Sequence, residues 1–371
     1  MNSYASPIGG KPPGGPIPPS GYYPPPRRRF GLWLVVLFLF GLLFLSMLSN
    51  LGYYLESTSG AGVGSGVRRA RDEAVTENHD SENKILIADV SGIISNLTLD
   101  RSGMSMVRWI EEQLKQARDD YAIKAVILKV DSPGGEVLAS DQIYERIQSF
   151  QESTGKPVIA SMAGLAASGG YYISAPCRWI VAHPLTITGS IGVIMHGYNY
   201  RTLMDKVGVQ PNVFKSGRFK DMLSGEKRPQ EVSDEEKAMV QGMVDSTFQR
   251  FKEVILKGRN WSQDQDGDEG RALSPAWQDF ADGRILSGTQ AYELGFVDEL
   301  GSFEVAVDRA KSLAGIETAN LIAYEKPFSL SSFFRFLGKA SAQNKVKVDI
   351  GLDIPRLEAG RLYLLSPTFL Q

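Results

Sequence analysis

Apolar residues along the chain fall into two regimes. From Phe30 to Leu48 the sequence reads FGLWLVVLFLFGLLFLSML, uncharged and without a polar face. From Lys84 onward, short apolar runs alternate with amphipathic stretches. KILIADV (84–90), KAVILKV (124–130), PVIAS (157–161), RWIVAHP (178–184) and PNVFKS (211–216) are predicted as strands. Between them, Met106, Ile110, Leu114 and Ala117 recur at helical spacing, as do Leu138, Ile143, Ile147 and Phe150. A further helix is predicted from Ser168. A long one over 233–257 is opened by the capping box Ser233/Glu236 and carries the stripe Val240, Met243, Val244, Phe248, Phe251, Ile255. Strands alternating with helices of this length imply right-handed crossovers and a mainly parallel sheet, an α/β fold. In such sheets function gathers at loops leaving the carboxyl ends of the strands.

The first regime predicts a transmembrane helix over 30–50, because about 20 residues at 1.5 Å rise span the ~30 Å hydrocarbon core. Arg27–Arg29 precede it and no basic residue follows directly. The positive-inside rule then predicts a single-pass protein with a cytoplasmic N-terminus and an extracytoplasmic remainder. Residues 1–29 are Pro/Gly-rich and read as a disordered tail. Residues 51–83 read as a linker. Within the last 56 residues (316–371), KVKVDIGLDI and GRLYLLSP read as short strands, and the apolar end (362–370) as a packing strand, with the substrate groove or a neighbour as alternatives.

A net charge of −2 and the absence of a basic face argue against nucleic acid as a partner. The single cysteine, Cys177, excludes an intramolecular disulfide and cysteine-rich zinc sites, and reads as buried packing. Paired-histidine metal spacings are absent. QDQDGDEG (263–270) places Gly267 too early for a calcium loop and reads as a solvated surface loop. No metal or cofactor is expected.

Two strand ends run into glycine-bearing turns: KAVILKV into DSPGGE (131–136), and PVIAS into MAGLAASGG. Glycine lets backbone N–H groups approach a ligand closely, and two such turns side by side supply two donors for a developing oxyanion. Ser168 in the second turn is the candidate nucleophile. Of the histidines, His79 lies in the linker, and neither His183 nor His196 has a context suggesting a triad. A lysine base is the alternative, since burial that keeps its amine neutral lets it take a hydroxyl proton. Lys215 and Lys220 in PNVFKSGRFKDML both qualify, and spacing does not choose between them.

DSPGG, AASGGYY, TGSIGV, KSGRFKD and GRILSGTQAYELGFVDELG occur in that order. Together they resemble the signal peptide peptidase family, Ser-Lys proteases of the Clp-protease/crotonase fold, in its short single-copy form, over about Lys84–Gly315. The resemblance implies repeated β-β-α and βαβ units around a mainly parallel sheet, with the peptidase domain at 84–315 following the transmembrane helix read above from the apolar run. It implies Ser168 as nucleophile and Lys220 as general base. It further implies Ser190 as the residue orienting the lysine amine, and the Gly135 and Gly169 N–H groups as the oxyanion hole. It also implies a ring-like homo-oligomer in which Lys220 serves a neighbour's Ser168. The expected activity is a membrane-anchored endopeptidase degrading cleaved signal peptides. The alternatives are a protease for stomatin-like membrane proteins, a crotonase-type acyl-CoA enzyme and a non-catalytic membrane scaffold.

Overall fold

A computed structural model describes residues 35–47, 73–97, 104–325 and 363–365. The chain divides into two units, Met1–Arg68 and Arg69–Gln371. In the first, residues 35–47 form helix α1, whose side chains are exposed. Among the described residues no helix is long and apolar enough to cross a membrane. This overturns the transmembrane helix expected over 30–50, and with it the membrane anchor and the single-pass topology. The Pro/Gly-rich tail, most of the linker and KVKVDIGLDI lie outside the described residues.

The second unit runs β1 (Glu73–Glu77), β2 (Lys84–Ser91), α2 (Met106–Asp119), β3 (Ile123–Ser132), β4 (Gly134–Glu136), α3 (Val137–Thr154), β5 (Val158–Ala166) and α4 (Gly169–Ser174). It continues with β6 (Trp179–Ala182), β7 (Ile187–Gly189), α5 (Arg201–Lys206), α6 (Asp234–Asp266), β8 (Ile285–Ser287) and α7 (Gly288–Glu293). The last elements are β9 (Glu299–Leu300), α8 (Phe303–Ala314), β10 (Asn320–Tyr324) and β11 (Tyr363–Leu365). The main sheet has the order β1-β10-β2-β3-β5-β6-β9. Every neighbour pair along it is parallel except β1 with β10. β7 branches from β5 and pairs antiparallel with β8.

Both sheet faces are covered, as a parallel sheet requires. Alternation along the strands sends Leu86, Ala88, Val126, Leu128 and Val130 into one apolar cluster, with α2, α3, α4 and the second half of α6. It sends Ile85, Ala125, Ile127, Ile159 and Trp179 to the other face, under Ala306, Val307 and Ala310 of α8. The mostly parallel sheet flanked by helices thus matches the sequence reading. PNVFKS (211–216) does not: it is coil, with residues 212–216 exposed and Phe214 turned to solvent. The acidic stretch 263–270 is not a loop either, since α6 continues to Asp266. The Asp266 carboxylate takes bonds of 2.9 and 2.6 Å from Arg178 Nε and Nη2.

One buried ion pair ties α6 to the core below α4. The Arg259 guanidinium bonds the Asp298 carboxylate, both fully enclosed. Asp298 also accepts from the backbone N–H groups of Ile180 (2.8 Å) and Arg271 (3.2 Å). Breaking such a pair from one side leaves an uncompensated buried charge. Cys177 is buried nearby, its thiol pushed up by burial, as a packing role requires.

Candidate active site

The site forms where β3, β5 and β7 end. Ser132 closes β3, and its hydroxyl donates to the Gly92 carbonyl (2.6 Å) while accepting from the Gly134 N–H (3.1 Å). That pair bends the chain sharply into β4. Gly134 stands at φ +105°, which an L side chain rarely adopts. Space forbids one as well: a Cβ at Gly134 would lie 1.9 Å from the Leu364 carbonyl oxygen and 2.7 Å from the Gly169 nitrogen. At Gly135 it would lie 1.9 Å from the Ile94 carbonyl oxygen. The two glycines let three stretches of backbone meet here.

After β5 the chain turns at Ser168 into the short helix α4. Ser168 has φ +53° and ψ −115°, a conformation that costs a non-glycine residue on the order of 1–3 kcal/mol. Its surroundings hold it there. The Ser168 N–H donates to the Gly189 carbonyl (2.9 Å), Ala167 N–H to Ser132 O (3.1 Å), and Gly170 N–H to Ala167 O (2.8 Å). Its side-chain oxygen is buried and, among the described residues, has no hydrogen-bond partner. An unpaired buried hydroxyl costs about 1–3 kcal/mol, so function is the economical reason for keeping it.

Ser168, Gly135, Gly169 and Ser190 come together; Lys220 does not join them. A Cβ at Gly169 would fall 3.1 Å from the Gly135 nitrogen and 2.7 Å from Ser140 Oγ, so the two glycine loops touch. Ser190 follows Gly189 directly, is buried, and also stands at positive φ (+48°). Its N–H is fixed by the Arg284 carbonyl at 2.7 Å. Lys220 lies in the exposed stretch 196–232, where its N–H donates to Gly217 O (3.2 Å). Lys215 is committed to Asp221 at 2.8 Å and to the Arg218 carbonyl at 3.1 Å.

No histidine reaches Ser168 Oγ. His183 Nδ1 accepts from Leu185 N (3.2 Å), His196 packs edge-on against Tyr198, and His79 pairs with Glu77. No group of side chains among the described residues has the makings of a metal site.

Several supporting residues escape a reading of the sequence. Ser132 and Ser140 brace the glycine turns, and Thr188 Oγ1 donates to the Ala166 carbonyl (2.6 Å). Glu136 accepts from Ser95 Oγ (3.0 Å) and Asn96 N (3.3 Å), closing the outer side of β4. In α4, Tyr172 donates to Asp141 at 2.5 Å, and Tyr171 to the Phe296 carbonyl at 3.0 Å. Burial pushes both phenols up, so they stay protonated donors. The one available signal was the motif GFVDELG, which contains the buried Asp298.

Residues 151–317 match peptidase family S49. The chain is 37% identical over 257 residues to an Enterococcus faecium protein provisionally named signal peptide peptidase SppA, covering 68% of this chain and 70% of that one. It is 36% identical over 237 residues to a Synechocystis protein provisionally named a protease, covering 64% and 76%. Among solved structures, a mutant of a membrane-bound stomatin-specific protease aligns over 67% of this chain at 14% identity with a TM-score of 0.41. On the extent of these sequence matches the chain belongs to peptidase family S49, the signal peptide peptidase family, and is a serine endopeptidase.

Proposed function

We propose that this peptidase cuts extended, apolar peptides, cleaved signal peptides among them, with Ser168 as nucleophile and Lys220 of a neighbouring copy as general base. The observation that carries the reading is the Ser168 hydroxyl: buried, unpartnered, in strained backbone, and beside two glycine loops in contact. In the proposed reaction each of these groups has one role. A neutral Lys220 amine takes the Ser168 proton while Oγ attacks the scissile carbonyl carbon. The carbonyl π electrons move to oxygen, held by the Gly135 and Gly169 N–H groups. Losing one such donor costs about 3–4 kcal/mol of barrier. Collapse breaks the C–N bond, and Lys220 returns the proton to the leaving amine. Water then adds to the acyl-enzyme, gives its proton to Lys220, and releases the acid as Ser168 regains a proton. Ser190 orients the amine. No step calls for a metal or cofactor; residues 84–315 carry the proposed site, while the sheet beneath it also takes β1 (Glu73–Glu77), from the stretch read as linker, and β10 (Asn320–Tyr324).

A second copy is favoured by the stretch that carries Lys220. Phe214 is 90% exposed and Tyr198 76%, with Leu203, Val207, Val213 and Leu223 also open to solvent. An apolar surface of that kind marks an interaction site. In a closed ring each copy offers one patch forward and another back, so each Ser168 meets one neighbour's Lys220.

Mass spectrometry of products from a mixture of synthetic signal peptides tests the reading. Wild type is expected to cut within their apolar cores, and Ser168→Ala and Lys220→Ala to give no products. Products from either variant at the wild-type rate would sink the assignment.

A further inference from the structure

Helix α4 follows Ser168 directly and has six residues (Gly169–Ser174), too few to hold a direction by its own backbone hydrogen bonds. Its cap, Ser168, contributes no side-chain bond to it. What α4 is fastened to therefore sets where Ser168 and the Gly169 N–H stand. Among the described residues, two of its side chains bond outside the helix. Tyr171 Oη donates to the Phe296 carbonyl (3.0 Å), and Tyr172 Oη to Asp141 Oδ1 on α3 (2.5 Å). Only the second ends on another side chain.

Tyr172 reaches Ser168 through its own backbone. Its N–H donates to the Ser168 carbonyl (2.9 Å), whose direction goes with the strained φ and ψ of that residue. The link thus runs from the Ser168 carbonyl to the Tyr172 N–H, and from the Tyr172 hydroxyl to Asp141. Asp141 is itself held, because its Oδ1 also accepts from Arg250 Nη2 (3.1 Å) and Nε (3.3 Å) on α6. The Arg250 guanidinium lies 5.6 Å from the centre of the Tyr144 ring, and Tyr144 meets Tyr172 edge-on at 5.8 Å. The Tyr172 ring is buried and packs on Phe251 at 4.9 Å. Tyr172, Asp141 and Arg250 also line a cavity of about 700 Å³ that takes in Val137 and Thr247. Where the link meets that open space, hydrogen bonds hold it in place of close packing.

We infer that Asp141 is a positioning residue for the peptidase reaction: by gripping the Tyr172 hydroxyl it holds α4 so that the Ser168 turn and the Gly169 N–H keep their places. The inference rests on the assignment of Ser168 and Gly169 given above. Asp141 touches no reacting atom and acts through Tyr172, while Arg250 aims its carboxylate. A hydrogen bond from a phenol to a carboxylate is about twice as strong as a neutral one. A displacement of about 1 Å between reacting groups costs about a hundredfold in rate. The smaller slack of a released α4 sets the expected loss at about tenfold.

Tyr172→Phe keeps the ring and its packing and removes only the donor. On a synthetic signal peptide it is expected to lower kcat about tenfold at unchanged KM. Asp141→Ala is expected to do the same, and the two together no more than either alone, because they break one link. Asp141→Asn is expected to regain most of the loss, since its amide oxygen still accepts from the phenol. A role in stability alone would leave kcat per folded enzyme unchanged. Wild-type kcat in Tyr172→Phe, an additive double variant, an Asp141→Asn no better than Asp141→Ala, or an effect on KM in place of kcat overturns the proposal. If Asp141→Ala does not fold, Asp141→Leu, close in shape and without an acceptor, replaces it with the same outcomes. Ser168→Ala on the same substrate separates the layers. Activity there refutes the site itself, whereas a dead Ser168→Ala beside wild-type kcat in Tyr172→Phe refutes only the positioning.

Discussion

Ser168 lies where packing is closest. Strands β3, β5 and β7 converge beneath it, and nearly every residue from Val158 to Ala182 is buried or half-buried. Lys220 lies in a stretch, 196–232, that is mostly exposed and holds itself together with ions. There Lys227 joins Glu236 (2.6 Å) and Asp221 (3.6 Å), and Lys215 joins Asp221 (2.8 Å). Helix α6 shows the same contrast within one element. Its second half buries Phe251, Val254, Ile255 and Gly258, while Met239 and Met243 in its first half stay open. A strained backbone such as that at Ser168 persists only where surrounding structure over-determines it. A base delivered from outside needs reach and a docking face. On the proposed reading, the two regions are each suited to one of those tasks.

The contrast breaks most sharply at the two residues themselves. Ser168→Ala and Lys220→Ala are each expected to lower kcat by about a thousandfold or more, with unchanged folding by circular dichroism. A stability loss in Lys220→Ala would mean the exposed stretch had been misread. Next comes the support under α4. Asp298→Ala is expected to destabilise the chain by about 3–5 kcal/mol in denaturant titration, because Arg259 is left charged and enclosed. A change below 1 kcal/mol would show that the pair is not what holds α6 to the core.

A third prediction concerns the open surface. Phe214→Ser is expected to change monomer stability by no more than about 0.5 kcal/mol while weakening self-association in sedimentation. Unchanged association would place the interface elsewhere. The smallest effect concerns acid. Hydrogen bonds from Lys215 and Lys227 hold the Asp221 and Glu236 carboxyls below the usual carboxylate range. Groups whose folded values are depressed contribute stability above their unfolded values, near 3.9 and 4.3, and lose it as pH falls through the folded ones. Amide exchange in 215–236 should therefore accelerate, relative to protection at matched intrinsic rates, as pH drops from 5 to 3. The β3 and β5 amides should hold. Simultaneous loss in both regions would erase the distinction.

The serine region was largely legible in the sequence. Alternating strands and helices announced the parallel sheet, and the glycine pairs after β3 and β5 marked the turns that meet. Short, nearly continuous apolar runs mark strands well where both sheet faces are buried. That reading failed at 211–216, whose Val213 and Phe214 imitate a strand but look outward. It also stopped α6 short, because acidic residues at 264–269 resemble a loop until Arg178 is seen to hold Asp266. The apolar run 30–48 promised a membrane span from length alone, yet among the described residues no helix is long and apolar enough to cross a membrane. Ser132 was invisible because its role depends on a contact across a long sequence separation, and Asp298 showed only as part of GFVDELG. Leu364 was visible only as one apolar residue among several near the C-terminus.

The claim at the centre of this account is that the serine and the lysine of one active site belong to different copies. Ser168→Ala and Lys220→Ala chains, each inactive, can be unfolded together in equal amounts, refolded and assayed. Random assembly in a ring pairs an intact serine with an intact neighbouring lysine in about one site in four. Recovery of about a quarter of wild-type activity is the predicted result. No recovery from a mixture that assembles normally would contradict the account.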